Sequence, residues 1–95
     1  MRKVLIIEDD KDIASMERDY LELADFTVET EHDGTSGLER ALQGGFSLIL
    51  LDIMLPGMDG LSVCRELRKK MNIPILLVTA RHDDIDKIRG YRRNF

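Results

Sequence analysis

The sequence has little of several residue types, and each shortage excludes a class of protein. It contains one cysteine, Cys64, so an intrachain disulfide is excluded, and we expect this thiol to act as a small apolar side chain on a helix face. The sequence has only two histidines in addition to that cysteine, so side chains that bind zinc are scarce. No run of about 18 apolar residues occurs, and "MRKVLIIEDD" is too weakly apolar for a secretory signal. These absences predict a cytoplasmic protein with no membrane span.

Charge of one sign is not in large excess either. The net charge is −4, and 34% charged against 43% hydrophobic residues is an ordinary balance for a globular domain. Basic side chains gather only near the end of the chain, at Lys87, Arg89, Arg92 and Arg93, where a solvated helix face explains them better than a nucleic acid site. We therefore expect one small domain over residues 1–95, without membrane contact or direct nucleic acid binding.

Short apolar segments alternate with helical patterns along the chain. Residues 4–7, 48–51 and 75–79 are typical of strands buried on both faces, and residues 26–31 alternate as an edge strand does. Apolar residues at spacings of three and four predict helices between them, carried by Ile13, Met16, Tyr20 and Leu23, then Leu38, Ala41 and Leu42, then Leu61, Cys64, Leu67 and Met71, and last Ile85, Ile88 and Tyr91. This alternation predicts an α/β fold with a doubly wound parallel sheet.

Acidic residues follow two of the predicted strands. "VLIIEDD" puts Glu8, Asp9 and Asp10 after the first strand, and "LILLDIMLPGMDG" ends the third strand on Asp52. In the flavodoxin-like order 2-1-3-4 these strands are neighbours, so their acids meet in one crevice. Carboxylates about 4 Å apart repel by roughly 4 kcal/mol per pair at an effective dielectric near 20. This repulsion favours a bound Mg²⁺, whereas Asp10 is expected to cap a helix.

The segments "VLIIEDD", "LILLDIMLPGMDG" and "IPILLVTAR", in this order and spacing, resemble the receiver domain of bacterial two-component response regulators. The resemblance covers residues 2–90 and is strongest to the OmpR-like subclass, whose receivers precede a winged-helix domain. It implies a CheY-like sheet of order 2-1-3-4. It also implies that Asp52 accepts a phosphoryl group from a sensor histidine kinase, as a phosphoacceptor that assists its own phosphorylation and not as an enzyme.

The same resemblance implies roles for the residues around Asp52. Asp9 and Asp52 would bind Mg²⁺ directly, Glu8 through water, and the backbone carbonyl of Met54 would be a further ligand. A switch hydroxyl and a backbone amide that contact the phosphoryl group would come from Thr79 and Ala80.

The chain departs from the family after "KIRGYRRNF", where receivers continue into a fifth strand and a fifth helix. The resemblance therefore implies a receiver incomplete at its C-terminus, without an output domain and with impaired switching. Its fourth strand and first helix would be open to self-association. An alternative is a receiver-derived fragment whose main property is self-association or domain swapping. A metal-dependent phosphohydrolase is disfavoured, because the two histidines, His32 and His82, fall in loops.

Overall fold

The computed structural model describes residues 2–78, which form a four-stranded parallel sheet with helices on both faces. The strands are β1 (Lys3–Ile7), β2 (Thr27–Glu31), β3 (Leu48–Asp52) and β4 (Ile75–Val78). The helices are α1 (Lys11–Leu23), α2 (Gly34–Leu42) and α3 (Gly60–Arg68). The sheet order is β2-β1-β3-β4, which confirms the predicted doubly wound topology. The predicted fourth helix, with Lys87 and the three arginines near it, lies outside the described residues.

Side-chain alternation along β1 divides the core between the two faces of the sheet. Val4 and Ile6 point to the face covered by α1, where they pack with Ala14. Leu5 and Ile7 belong to the larger cluster on the opposite face, with Ala41 of α2, Val63 and Leu67 of α3, and apolar residues of β3 and β4. Because β1 is covered on both faces, its apolar residues are continuous in the sequence rather than alternating.

An aspartate precedes each of the three helices and caps it. Asp10 Oδ1 accepts the backbone N–H of Asp12 and of Ile13, at 2.9 and 3.1 Å, which confirms the predicted helix-capping role. Asp33 and Asp59 cap α2 and α3 in the same way. These bonds satisfy backbone donors that the first turn of a helix leaves unpaired. They also fix where each helix begins after the strand that precedes it.

The apolar side chains that predicted α1 do not all face the core. Met16, Tyr20 and Leu23 are 52%, 70% and 83% exposed, and the helix packs on the sheet through Ala14 and Leu21. The small side chain of Ala14 lies at the centre of this contact, packed with Val4 and Ile6 of β1. Cys64 packs against the larger cluster, as predicted for a small apolar side chain. Among the described residues, no helix has the length and apolar character needed to cross a bilayer.

Candidate functional site

The register of the sheet brings the predicted acidic residues together at its carboxyl edge. β1 and β3 pair in parallel with Ile7 opposite Leu51, so the next residues, Glu8 and Asp52, emerge side by side. Glu8 and Asp52 are 2% and 1% exposed, and the half-buried Asp9 follows. One carboxylate oxygen from each of the three lies within 4.8 Å of the other two. The acids that the strand ends predicted to meet in one crevice therefore do form a cluster.

Burial works against the ionisation of Glu8. Removal from water is the largest influence on Glu8 and raises its pKa, and the charge and contacts of Asp52 and Asp9 raise it further. A backbone hydrogen bond from Asp10 to Glu8 Oε2, 3.0 Å long, acts in the opposite direction. The other oxygen, Oε1, is buried and accepts no hydrogen bond from the described residues. Such an oxygen is costly to bury unless something positive approaches it.

The loop after β3 is shaped by glycines at two positions. Gly57 has φ of +76°, a left-handed conformation that side chains with a Cβ adopt with strain. A Cβ added at Gly60 would overlap the backbone carbonyl of Asp52, and the Gly60 N–H donates to the Ile53 carbonyl at 2.8 Å. The first turn of α3 therefore packs directly on the backbone of the phosphoacceptor candidate. This contact explains the "LPGMDG" sequence after the strand.

The remaining predicted site residues have different outcomes. Met54 lies in the bend after β3, and its backbone N–H donates to Asp52 Oδ1 at 3.2 Å. This contact holds Met54 beside the cluster, while metal binding by its carbonyl stays a prediction. Thr79 and Ala80 lie outside the described residues, so their predicted roles stay predictions too.

Two residues near the cluster were missed by the sequence reasoning. His32 follows β2, and its Nδ1–H donates a hydrogen bond to the carbonyl oxygen of Glu8, at 2.9 Å. Glu17 on α1 is half-buried, and its pKa is raised to about 7 by burial and then by the negative charge of Asp52. The signal available in the sequence was the position of Glu17, a charged residue directly after Met16 in the apolar pattern that predicted α1. Its proximity to Asp52 depends on how the helix lies across the sheet.

The donor set fits a hard divalent cation. All three side chains offer oxygen, two of them are almost fully buried, and Glu8 has an oxygen without a hydrogen-bond donor in the described part of the chain. Mg²⁺ prefers oxygen ligands and retains several waters, so a pocket with a few carboxylates at one edge suits it. The arrangement can therefore bind a cation beside an aspartate, which is a suitable nucleophile for phosphorus.

Comparison with known proteins gives one consistent family. The family model of the response regulator receiver domain matches residues 4–94 of this chain. The response regulator ArlR of Staphylococcus saprophyticus is 43% identical over 90 residues, which cover 95% of this chain and 41% of that protein. ArlR of Staphylococcus aureus is 40% identical over the same length. The chain thus spans less than half the length of these relatives.

Solved structures agree with the sequence relatives. The response regulator TrrA of Thermotoga maritima, crystallised with Mg²⁺ and BeF, has a TM-score of 0.81 and 31% identity, covering 86% of this chain and 72% of that one. The BeF₃-activated receiver domain of Klebsiella pneumoniae RstA has a TM-score of 0.80 and 36% identity, and the match covers 94% of this chain and 76% of that one. TrrA in complex with the histidine kinase ThkA has a TM-score of 0.79 and 30% identity, and the match covers 90% of this chain and 77% of that one.

Proposed function

The chain belongs to the response regulator receiver domain family of two-component systems, and on this premise we propose that Asp52 accepts a phosphoryl group from a sensor histidine kinase in a Mg²⁺-dependent reaction. The observation that carries the proposal is the convergence of Glu8, Asp9 and Asp52 within 4.8 Å. It is supported by the crystal structures of TrrA with Mg²⁺ and BeF and with the kinase ThkA.

We infer a division of labour among the three acids. Asp9 and Asp52 would bind the cation directly, Glu8 would bind it through water, and the Met54 carbonyl would complete the protein ligands. Glu8 suits an indirect role because burial already raises its pKa and because its Oε2 accepts the Asp10 N–H. When bound, Mg²⁺ supplies positive charge that offsets repulsion among the carboxylates and the phosphoryl oxygens.

The proposed reaction uses Asp52 as the nucleophile. A carboxylate oxygen attacks phosphorus, the bond between phosphorus and the histidine nitrogen of the kinase breaks, and an acyl phosphate forms on Asp52. The Met54 N–H, 3.2 Å from Asp52 Oδ1, holds the carboxylate in one orientation. We assign the switch hydroxyl to Thr79 and a phosphoryl-binding amide to Ala80. The protein acts once on itself and turns over no separate substrate.

Intact-mass spectrometry tests the proposal directly. The chain is incubated with acetyl phosphate and Mg²⁺, and the expected result is a labile phosphoryl adduct on the protein. Asp52→Asn should abolish the adduct, whereas Asp59→Asn, which alters an exposed helix-capping aspartate nearby, should retain it. Chelation of Mg²⁺ should also abolish it. An adduct that persists in Asp52→Asn would refute the assignment of the phosphoacceptor.

The partners and location follow as further proposals. A sensor histidine kinase is the proposed phosphodonor in the cell, and the cytoplasm is the proposed location because the catalytic parts of such kinases act there. Neither membrane binding nor direct nucleic acid binding is assigned to this chain.

A second candidate function is self-association, favoured by exposed apolar surface on α1. Tyr20 and Leu23 are 70% and 83% exposed, and Met16 adjoins them on the same face. In the sheet formed by residues 2–78, β4 is an edge strand whose sequence is entirely apolar. Exposed apolar side chains and apolar edge strands both favour association with another copy.

Light scattering after size-exclusion chromatography tests this second candidate. We expect a mass above that of the monomer at micromolar concentration. The double variant Tyr20→Lys and Leu23→Lys should shift the protein toward the monomer, whereas Glu22→Lys, on the same helix, serves as the charge-matched control. A monomeric mass for the unmodified chain would exclude this function.

A further inference from the structure

A polar cleft between α1 and the end of β2 has no role in the proposed phosphotransfer. It encloses about 230 Å³ and is lined by Lys11, Ala14, Ser15, Arg18, Thr30 and His32. The lining offers two cationic side chains, two hydroxyls and an imidazole, and it includes no carboxylate.

The two cations that line the cleft have no carboxylate at salt-bridge distance within residues 2–78. Neither Lys11 nor Arg18 forms a salt bridge with another described residue. Arg18 Nη2 donates to Thr30 Oγ1 at 3.1 Å, which holds the guanidinium against β2. Its Nε is buried and has no acceptor in the same part of the chain.

The position of His32 further shapes the cleft. Its Nδ1 donates to the Glu8 carbonyl at 2.9 Å, so the ring is fixed in orientation by backbone rather than by solvent. The fixed ring forms one wall, and the Arg18 guanidinium forms another. A rigid arrangement of donors loses less conformational entropy when it binds a ligand than mobile surface side chains do.

We propose that this cleft is a binding site for a small phosphate-bearing anion, distinct from the acidic pocket. A guanidinium binds phosphate oxygens through two parallel N–H groups, and a lysine ammonium adds a compact charge. Ser15 and Thr30 supply hydroxyls for further oxygens. Phosphate suits the cleft better than a carboxylate because its oxygens point in several directions and can accept from donors on separate side chains, whereas the two carboxylate oxygens lie in one plane, and the volume accommodates a small substituent.

Titration followed by amide NMR tests the site, with inorganic phosphate and glycerol 3-phosphate as probes and NaCl at matched ionic strength as the reference. Mg²⁺ is omitted, so that the acidic pocket repels the probes. We expect saturable shifts in residues 11–18 and 30–32, with a dissociation constant on the order of 1 mM. Tighter binding of glycerol 3-phosphate would assign an organic phosphate, and equal binding would assign the inorganic ion.

Substitutions in the cleft provide the decisive comparison. Arg18→Gln should weaken binding at least about tenfold, since it removes the bidentate donor. Lys11→Gln changes an exposed side chain, so it keeps the test available if Arg18→Gln fails to fold, and it should weaken binding severalfold. Lys70→Gln, an exposed lysine after α3, is the matched control. Shifts spread over the whole chain, or an affinity in Lys11→Gln equal to that of the unmodified chain, would overturn the proposal.

Discussion

Replacement of Glu17 by glutamine should stabilise the protein above pH 7 and have a clearly smaller effect at pH 5. Glu17 is half-buried on α1, and its Oε1 is buried without a hydrogen-bond donor in residues 2–78. Burial, and then the charge of Asp52, raise its pKa from 4.5 to about 7. The folded protein therefore binds this proton more tightly than the unfolded chain does. As the pH rises from about 4.5 to about 7, the contribution of Glu17 to stability therefore falls.

The magnitude follows from the two pKa values. At about 1.36 kcal/mol per pH unit, a rise from 4.5 to about 7 corresponds to roughly 3.4 kcal/mol as an upper limit. Because the side chain is only partly buried, water screens the charge, and we expect about 1 to 2 kcal/mol. Glu17→Gln cannot ionise, so it should exceed the unmodified protein by that amount at pH 8. Below about pH 4 the difference should nearly vanish, because Glu17 is then neutral in both the folded and the unfolded state.

Urea unfolding, followed by far-UV circular dichroism at pH 5, 6, 7 and 8, measures the difference. Glu22→Gln is the matched control because it removes the same charge from an exposed position of the same helix. In an Asp52→Asn background the gain from Glu17→Gln should be smaller, since the second cause of the raised pKa is gone. A gain that does not vary between pH 5 and 8, or an equal gain in Glu22→Gln, would refute the reasoning.

Three further predictions concern the site and its supports. Gly60→Ala should destabilise the fold by about 1 to 3 kcal/mol in urea unfolding, because the new Cβ overlaps the Asp52 carbonyl and this outweighs better helix propensity. Asp10→Ala should cost about 1 kcal/mol in the same assay through loss of the α1 cap, and an unchanged midpoint would contradict this. Millimolar Mg²⁺ should raise the Tm of the unmodified chain, and Asp9→Asn should reduce that rise; an equal rise in both would argue against binding at the acidic cluster.

Much of the candidate site could be predicted because strand ends are readable in the chain. Val4 to Ile7 are buried and Leu48 to Leu51 are buried or half-buried, with core residues on both faces of the sheet, so each gives a continuous apolar run that stops where the strand reaches the sheet edge. The acids directly after these runs must then meet if the strands are neighbours. The register of β1 with β3 meets that condition, and Glu8, Asp9 and Asp52 form one cluster.

The sequence by itself therefore determined the order of elements, the parallel sheet and the acidic edge, because these depend on local patterns of burial and on chain connectivity. Only the tertiary structure decided how α1 is rotated, which exposes Tyr20 and brings Glu17 under the influence of Asp52. It also decided that His32 contacts the Glu8 carbonyl and that Arg18 lines a cleft with Thr30. These contacts join residues distant in the chain, and no local pattern encodes the packing angle that brings them together.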